Sequence, residues 1–362
     1  MKKRRLAAFL LCCFLMHSMN VSALELRVSA HAAALYEPMT GQFLYEYNGD
    51  QKLPMASTTK IMTALIAMET LSLDREITVK PEWVGIEGSS MYLKKGETLK
   101  VSDLLYGLLL MSGNDAAVAL ACLCSGSEPA FVAEMNAYAL KLGLKNTHFE
   151  SASGLDGDSH YSTAEDMAKL AAYAMEQKPF YDIVSTEKIT IAGRWMNNHN
   201  KLLRLCEGVC GVKTGFTKKA GRCLVSACER QGRRLIFVTL NAPDDWSDHQ
   251  NAYELFFKDC SAQILSLPGV QAELAVASGG KVAVYSNEEY SLALHEEERR
   301  NIKTAICGDR IVYGPVKAGR LYGVKKIILN DQIIAEIPLY FSQSVSKEAP
   351  DSFWQRLVRI FC

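Results

Sequence analysis

Ser57 and Lys60 are the residues whose types and spacing are most suited to chemistry. They stand three residues apart at the start of an apolar segment, Ile61 to Glu69. Residues at this spacing share one face of a helix, so the hydroxyl and the amine are expected to lie side by side. A serine next to an amine can act as a nucleophile with its general base. The spacing also fits a serine that caps the helix and a lysine that faces solvent, so the pair alone leaves both alternatives open.

Two later segments could supply partners for this pair. Ser112-Gly-Asn114 interrupts an otherwise helical pattern, where side chains can project into a cleft. Lys213-Thr214-Gly215 lies within a predicted strand, and its glycine would allow another part of the backbone to approach closely. Each segment alone is also compatible with a plain turn or a plain strand. Their combination in one chain, in this order, favours a catalytic site.

The three segments resemble the S-x-x-K, S-x-N and K-T-G motifs of serine-type D-alanyl-D-alanine carboxypeptidases, the penicillin-binding proteins of low molecular mass. Ser153-Gly-Leu155 and His160-Tyr-Ser-Thr-Ala164 extend the resemblance, which covers about residues 30–260. It implies a β-lactamase/transpeptidase-like domain of the α/β (α+β) class, with an antiparallel sheet and packed helices. It also implies penicillin sensitivity, and neither a metal nor a cofactor.

The resemblance assigns a role to each motif residue. Ser57 would attack the carbonyl of the penultimate D-alanine of a peptidoglycan pentapeptide stem, with Lys60 as its general base. Ser112 would pass a proton to the departing D-alanine, and Asn114 would hold the substrate's amide. The family reaction would run through an acyl-enzyme on Ser57.

The K-T-G segment would hold the substrate's end. Lys213 would add positive potential, Thr214 would bind the terminal carboxylate, and the Gly215–Phe216 backbone would complete the site. The oxyanion hole would be formed by the backbone N–H groups of Ser57 and Phe216. His199 stands where many relatives carry a basic residue that helps to hold the carboxylate, and an exposed loop histidine is the alternative.

The role of Lys60 makes a physical demand. The ordinary lysine pKa is about 10.4, so a lysine that works as a base near pH 7 must have its pKa lowered at a cost of about 4 kcal/mol. Burial on the apolar helix and the nearby charge of Lys213 would both lower it. Two lysines beside one serine would destabilise the fold by repulsion between like charges, which favours a catalytic role for the pair.

Three other functions are alternatives, two of them enzymatic and one non-catalytic. A serine β-lactamase would need an additional base to hold a deacylating water, and no convincing glutamate for that role is apparent. A D,D-endopeptidase or transpeptidase would use the same fold and motifs. A non-catalytic peptidoglycan-binding protein is disfavoured because the motifs are intact.

The cysteines raise the question of a zinc site. Cys206-x3-Cys210 is followed by Cys223-x4-Cys228, but the last two lie in a predicted strand where residues five apart face opposite sides. One metal could hardly bind both. We therefore interpret most of the cysteines as small buried side chains.

The N-terminal residues predict export. Four basic residues precede an apolar run from Leu6 to Met16, and Val21-Ser-Ala23 supplies small residues for cleavage, so residues 1–23 are interpreted as a signal peptide. Without them, 36 basic residues face 40 acidic ones, a net charge of −4 that gives no indication of a nucleic-acid partner.

The remaining chain is divided by composition. A carboxypeptidase domain is predicted over residues 24–262, a small all-β sandwich over 269–341 and a polar linker over 342–351. Residues 352–362 place Phe, Trp, Leu, Val and Ile on one helical arc and two arginines on the other. Such a helix suits a membrane interface, so we expect the protein at the outer face of the cytoplasmic membrane, or secreted into the cell wall. Docking of this helix on its own protein is the alternative.

Overall fold

The structure, a computed structural model, describes residues 26–155 and 157–345. The predicted signal peptide, the predicted C-terminal helix and the end of the predicted linker lie outside the described residues. Among the described residues, no single helix is long and apolar enough to cross a membrane; one pair bent by 81°, Asn114–Ser125 with Glu128–Lys141, meets the length and composition criteria together.

The secondary structure alternates between helical and strand-rich regions. In chain order the strands are β1 (Ala32–Glu37), β2 (Gln42–Tyr47), β3 (Glu76–Thr78), β4 (Thr98–Lys100), β5 (Lys188–Ile191), β6 (Arg194–Asn197), β7 (Val209–Thr217), β8 (Gly221–Arg230), β9 (Arg233–Leu240), β10 (Ser261–Ser266), β11 (Gly269–Val276), β12 (Lys281–Ser286), β13 (Tyr290–Leu294), β14 (Ile302–Cys307), β15 (Ile311–Val312), β16 (Leu321–Leu329) and β17 (Gln332–Phe341).

Most of the described helices lie between β2 and β7 along the chain. They are α1 (Lys60–Thr70), α2 (Val101–Leu110), α3 (Asn114–Ser125), α4 (Glu128–Lys141), α5 (Ala164–Met175), α6 (Lys178–Val184), α7 (Leu202–Leu205), α8 (Asp245–Phe257) and α9 (Glu296–Arg299). Two short 3-10 turns, Ala56–Thr59 and Pro81–Trp83, complete the described elements.

The central sheet has five antiparallel strands in the order β2-β1-β9-β8-β7. Successive side chains along its strands point to opposite faces of the sheet, so the sheet separates two hydrophobic cores. Ala32 and Ala34 pack into the core formed with most of the helices, whereas Ala33 and Leu35 pack into the core shared with α8. The predicted antiparallel sheet covered by helices is thus confirmed. Strand β7 pairs with β8 alone among the described strands, so one of its edges is open.

The same alternation decides the cysteine question. Cys223 belongs to the helix-side core and Cys228 to the α8-side core, and both are fully buried. The two thiols therefore lie on opposite faces of the sheet. Within the described part of the chain, no group of three or more potential ligands could hold a metal ion.

The C-terminal region is rich in strands, as predicted. A six-stranded sheet has the order β14-β16-β17-β12-β11-β15, and β10 pairs with β13 beside it. The four-residue helix α9 was not predicted. It contributes Glu298 to an ion-pair cluster that joins the two regions: buried Arg233 on β9 donates to Glu37 on β1 at 2.5 Å and to Glu298 at 2.7 and 2.8 Å.

Candidate active site

Ser57 lies in the tight turn that leads into α1. Thr58 Oγ1 donates to Met55 O at 2.6 Å and Thr59 Oγ1 to Ala56 O at 2.8 Å, so local hydrogen bonds hold this turn. Ala56 has a φ of +49°, a conformation rarely adopted by residues other than glycine. Neither the turn nor α1 has a side-chain cap. The alternative in which Ser57 caps the helix is therefore not observed, and its side chain faces a cleft instead.

Lys60 is fully buried on the first turn of α1 and contacts three oxygen atoms. Its Nζ lies 2.8 Å from Ser57 Oγ, 2.7 Å from Asn114 Oδ1 and 2.5 Å from the carbonyl oxygen of Ser153. Desolvation, followed by the charge of Lys213, lowers the Lys60 pKa well below its ordinary value; Asp115 opposes this shift. Both predicted causes, burial and the charge of Lys213, therefore shift the Lys60 pKa in the direction that a general base requires.

These three contacts would orient the amine of Lys60 in its neutral form. A neutral lysine has two N–H groups and one lone pair. The Asn114 and Ser153 oxygens can only accept, so they take the two hydrogens and direct the lone pair towards the Ser57 hydroxyl. Asn114 cannot reverse its amide without loss, because its Nδ2 donates to Glu87 O at 2.6 Å. The prediction that Asn114 holds the substrate's amide stays a prediction; here both ends of its amide have internal partners.

Asp115, on the first turn of α3, ties the segment before β4 to the start of this helix. The buried Asp115 carboxylate accepts hydrogen bonds from the Ser90 hydroxyl at 2.6 Å and from the Met91 and Leu93 N–H groups at 3.0 and 3.1 Å. Ser112, at the break between the two helices, has a φ of +59° and is almost completely buried at the cleft. The predicted interruption therefore exists and brings Ser112 to the cleft that Ser57 lines.

The family resemblance assigns no role to the loop that carries Ser153. Gly154 has a φ of +84° and packs so closely under the nucleophile turn that a Cβ there would overlap the Ala56 carbonyl. His160 lies 2.8 Å from Thr59 Oγ1 and accepts the Glu150 N–H at 2.9 Å. The Ser-Gly-Leu sequence, a glycine beside a serine in a loop, was the signal that could have identified this support.

Strand β7 brings the third motif to the nucleophile. Lys213 is almost completely buried, and its Nζ donates to the carbonyl of Thr214 at 2.8 Å. Burial lowers its pKa to about 7. A Cβ at Gly215 would lie 3.0 Å from Ser57 N, so glycine permits the strand to approach the turn. Thr214, Gly215 and exposed Phe216 line the cleft.

His199 also lines the cleft, on the loop before α7. Its backbone N–H donates to Leu110 O at 3.3 Å. Desolvation and then the charge of Lys213 lower its pKa below the ordinary value. At neutral pH the ring is therefore uncharged, so it can offer a hydrogen bond to a carboxylate but no positive charge.

The cleft has a volume of about 440 Å³ and collects most of the predicted site. Ser57, Ser112, His199 and the Thr214–Phe216 segment line it, while Lys60, Asn114 and Lys213 are buried. Further residues that the sequence analysis did not single out also line it: Lys201, Arg204, Arg222, Asp245 and Trp246.

Comparison with known proteins identifies the family of this chain. The family described as D-alanyl-D-alanine carboxypeptidase, peptidase S11, matches residues 18–244. The chain belongs to this family. It is thus a serine hydrolase of the S11 carboxypeptidases, as predicted. A second family model, the C-terminal domain of penicillin-binding protein 5, matches residues 270–347.

Individual proteins of known name are similar to this chain in sequence or in structure over most of its length. The D-alanyl-D-alanine carboxypeptidase DacF of Bacillus subtilis is 30% identical over 349 residues, which cover 92% of this chain and 90% of DacF. The crystal structure of penicillin-binding protein 5 from Haemophilus influenzae has a TM-score of 0.65 and 27% identity, covering 89% of this chain and 98% of that one. The ampicillin-bound penicillin-binding protein D2 of Listeria monocytogenes has a TM-score of 0.58 and 36% identity, covering 64% and 97% respectively.

Proposed function

We propose that this S11 carboxypeptidase removes the terminal D-alanine from peptidoglycan pentapeptide stems through a Ser57 acyl-enzyme. The observation that carries the proposal is the buried amine of Lys60, 2.8 Å from Ser57 Oγ, with acceptors at its two other contacts. A buried amine with a lowered pKa can take the serine proton at neutral pH.

Acylation follows from this arrangement. As Ser57 Oγ attacks the carbonyl carbon of the penultimate D-alanine, its proton passes to Lys60 Nζ. The backbone N–H groups of Ser57 and Phe216 stabilise the negative charge that develops on the carbonyl oxygen. Collapse of the tetrahedral intermediate breaks the peptide bond, and Ser112 relays a proton to the leaving amine. Water then releases the shortened stem and regenerates Ser57.

The open edge of β7 supports binding of the peptide substrate as an additional strand. An extended peptide can pair with an unpaired strand edge through backbone hydrogen bonds. Thr214 and Lys213 would receive the terminal carboxylate, with Lys213 partly charged because its pKa is about 7. His199 would add a neutral hydrogen bond to this end of the substrate.

The same site accounts for expected β-lactam inhibition, because ampicillin is bound in the Listeria relative. A β-lactamase would need a base to activate water for release of the drug. Among the described residues that line the cleft, Asp245 is the one carboxylate, and both the Nε and Nη2 groups of Arg222 donate to it. This disfavours rapid turnover and favours a long-lived penicilloyl adduct.

A direct test is mass spectrometry of purified stem pentapeptides incubated with the protein. We expect loss of one alanine, and stoichiometric labelling of the protein by a fluorescent penicillin; the Ser57→Ala variant should show neither. Rapid consumption of the penicillin would indicate a β-lactamase. If wild type neither shortens the peptide nor becomes labelled, the proposed function is wrong.

For location, we propose that the exported protein is held at the outer face of the cytoplasmic membrane by residues 352–362. The apolar arc and the two arginines of this segment support the proposal. Deletion of residues 352–362 should move the mature protein from the membrane fraction to the soluble fraction while peptidase activity is retained. Continued membrane association of the truncated protein would exclude this anchor.

A further inference from the structure

The cleft extends beyond Phe216 to a fixed arginine. Arg222 is the second residue of β8 and pairs directly with Phe216 on β7. Its Nε and Nη2 atoms donate to Asp245 Oδ1 at 2.9 and 2.7 Å, and its guanidinium carbon lies 5.4 Å from the centre of the Trp246 ring. Arg222, Asp245 and Trp246 all line the cleft, and the catalytic steps above use none of them.

Asp245 and Trp246 hold the guanidinium group in place. The Asp245 side chain is only 3% exposed, whereas that of Arg222 is 40% exposed. Contact with a tryptophan face and two hydrogen bonds to a buried carboxylate restrict the guanidinium plane. An arginine held in this way loses little conformational freedom when it binds an anion.

The surrounding charge favours an anionic ligand. Lys201 and Arg204, both exposed, line the same cleft, and Asp245 is the one carboxylate among its described lining residues. The cleft therefore keeps a net positive charge after Arg222 and Asp245 are paired. Such a cleft attracts an acidic peptide and repels a basic one.

The strand direction indicates which part of the substrate reaches Arg222. Thr214 and Phe216 project from the same face of β7 because they are two residues apart. With the terminal carboxylate at Thr214 and the scissile carbonyl at the Phe216 N–H, the preceding substrate residues continue past Phe216. This end of the cleft is where Arg222 stands opposite Phe216.

We propose that Arg222, positioned by Asp245 and Trp246, is a carboxylate subsite that selects stem peptides with an acidic residue N-terminal to the D-alanyl-D-alanine pair. The inference rests on the proposed function. Arg222 would contact the substrate carboxylate and act as a specificity residue, while Asp245 would act only by positioning it.

The test uses two pentapeptides that differ at one position, a free carboxylate in one and a carboxamide in the other. A charge-assisted hydrogen bond of this kind corresponds to roughly a tenfold preference in kcat/KM for the acidic peptide. We expect this preference mainly in KM, and we expect it to shrink as ionic strength rises. In Arg222→Gln the ratio of the two kcat/KM values should fall towards one.

Two further variants make the result interpretable. Arg222→Gln leaves the buried Asp245 carboxylate unpaired, so the double variant R222Q/D245N should show the same loss of preference without that charge. Arg320→Gln, an exposed arginine between β15 and β16, should keep the wild-type ratio. Equal rates with both peptides in wild type, or an unchanged ratio in both Arg222 variants, would overturn the inference and leave Arg222–Asp245 as a structural ion pair. Failure of wild type to release D-alanine from either peptide would instead refute the proposed function.

Discussion

Replacement of Lys60 by alanine is expected to reduce acylation of Ser57 by a labelled penicillin by about 10²- to 10⁴-fold, the range typical of a general base. The amine is the group within 2.8 Å of Ser57 Oγ that can accept its proton. The rate constant of acylation, measured by stopped-flow or by quenched labelling, checks this expectation. Lys95→Ala removes an exposed lysine of the same region and should react like wild type.

The pH dependence gives an independent readout. Because Lys60 must be neutral to act, the acylation rate should rise with pH through the lowered pKa of Lys60. Removal of the Lys213 charge eliminates a repulsion that lowers this pKa, so the acid limb in Lys213→Gln should move to higher pH. An acid limb that is unchanged in Lys213→Gln, together with near-normal acylation by Lys60→Ala, would exclude Lys60 as the base.

Replacement of Gly154 by alanine is expected to destabilise the fold by about 3 kcal/mol or more, through backbone overlap added to an unfavourable φ. The new Cβ would overlap the Ala56 carbonyl and lie 2.8 Å from Thr59 Oγ1, at a φ of +84°. Relief of this overlap must move either the nucleophile turn or the Ser153 carbonyl that accepts from Lys60. Acylation should therefore fall as well.

Gly143→Ala separates overlap from backbone strain. Gly143 follows α4 with a φ of +73°, and a Cβ there would meet nothing within 4 Å. Its replacement should cost only about 1–2 kcal/mol. Chemical denaturation of both variants measures the difference, and the two should also differ in penicillin labelling. Equal stability losses in Gly154→Ala and Gly143→Ala would mean that the packing under the turn has no special role.

Local sequence patterns were sufficient for the family, the fold class and the carboxypeptidase activity, and all three are confirmed. A spacing of three on an apolar helix brings Ser57 and Lys60 together because the helix repeats every 3.6 residues. Strand alternation likewise separated Cys223 from Cys228. The identities of the other site residues were available as motifs, since each motif is short and contiguous.

The chemical state of the site depends on contacts that no local pattern contains. Burial and the charge of Lys213 lower the Lys60 pKa, and its amine donates to Asn114, 54 residues away, and to the Ser153 carbonyl, 93 residues away. The Arg222–Asp245–Trp246 arrangement joins a strand end to the start of a helix 23 residues later. Short contiguous motifs are enough to identify the residues that can react. Their burial, hydrogen-bond partners and orientation come from tertiary packing, because these properties depend on groups that are distant along the chain.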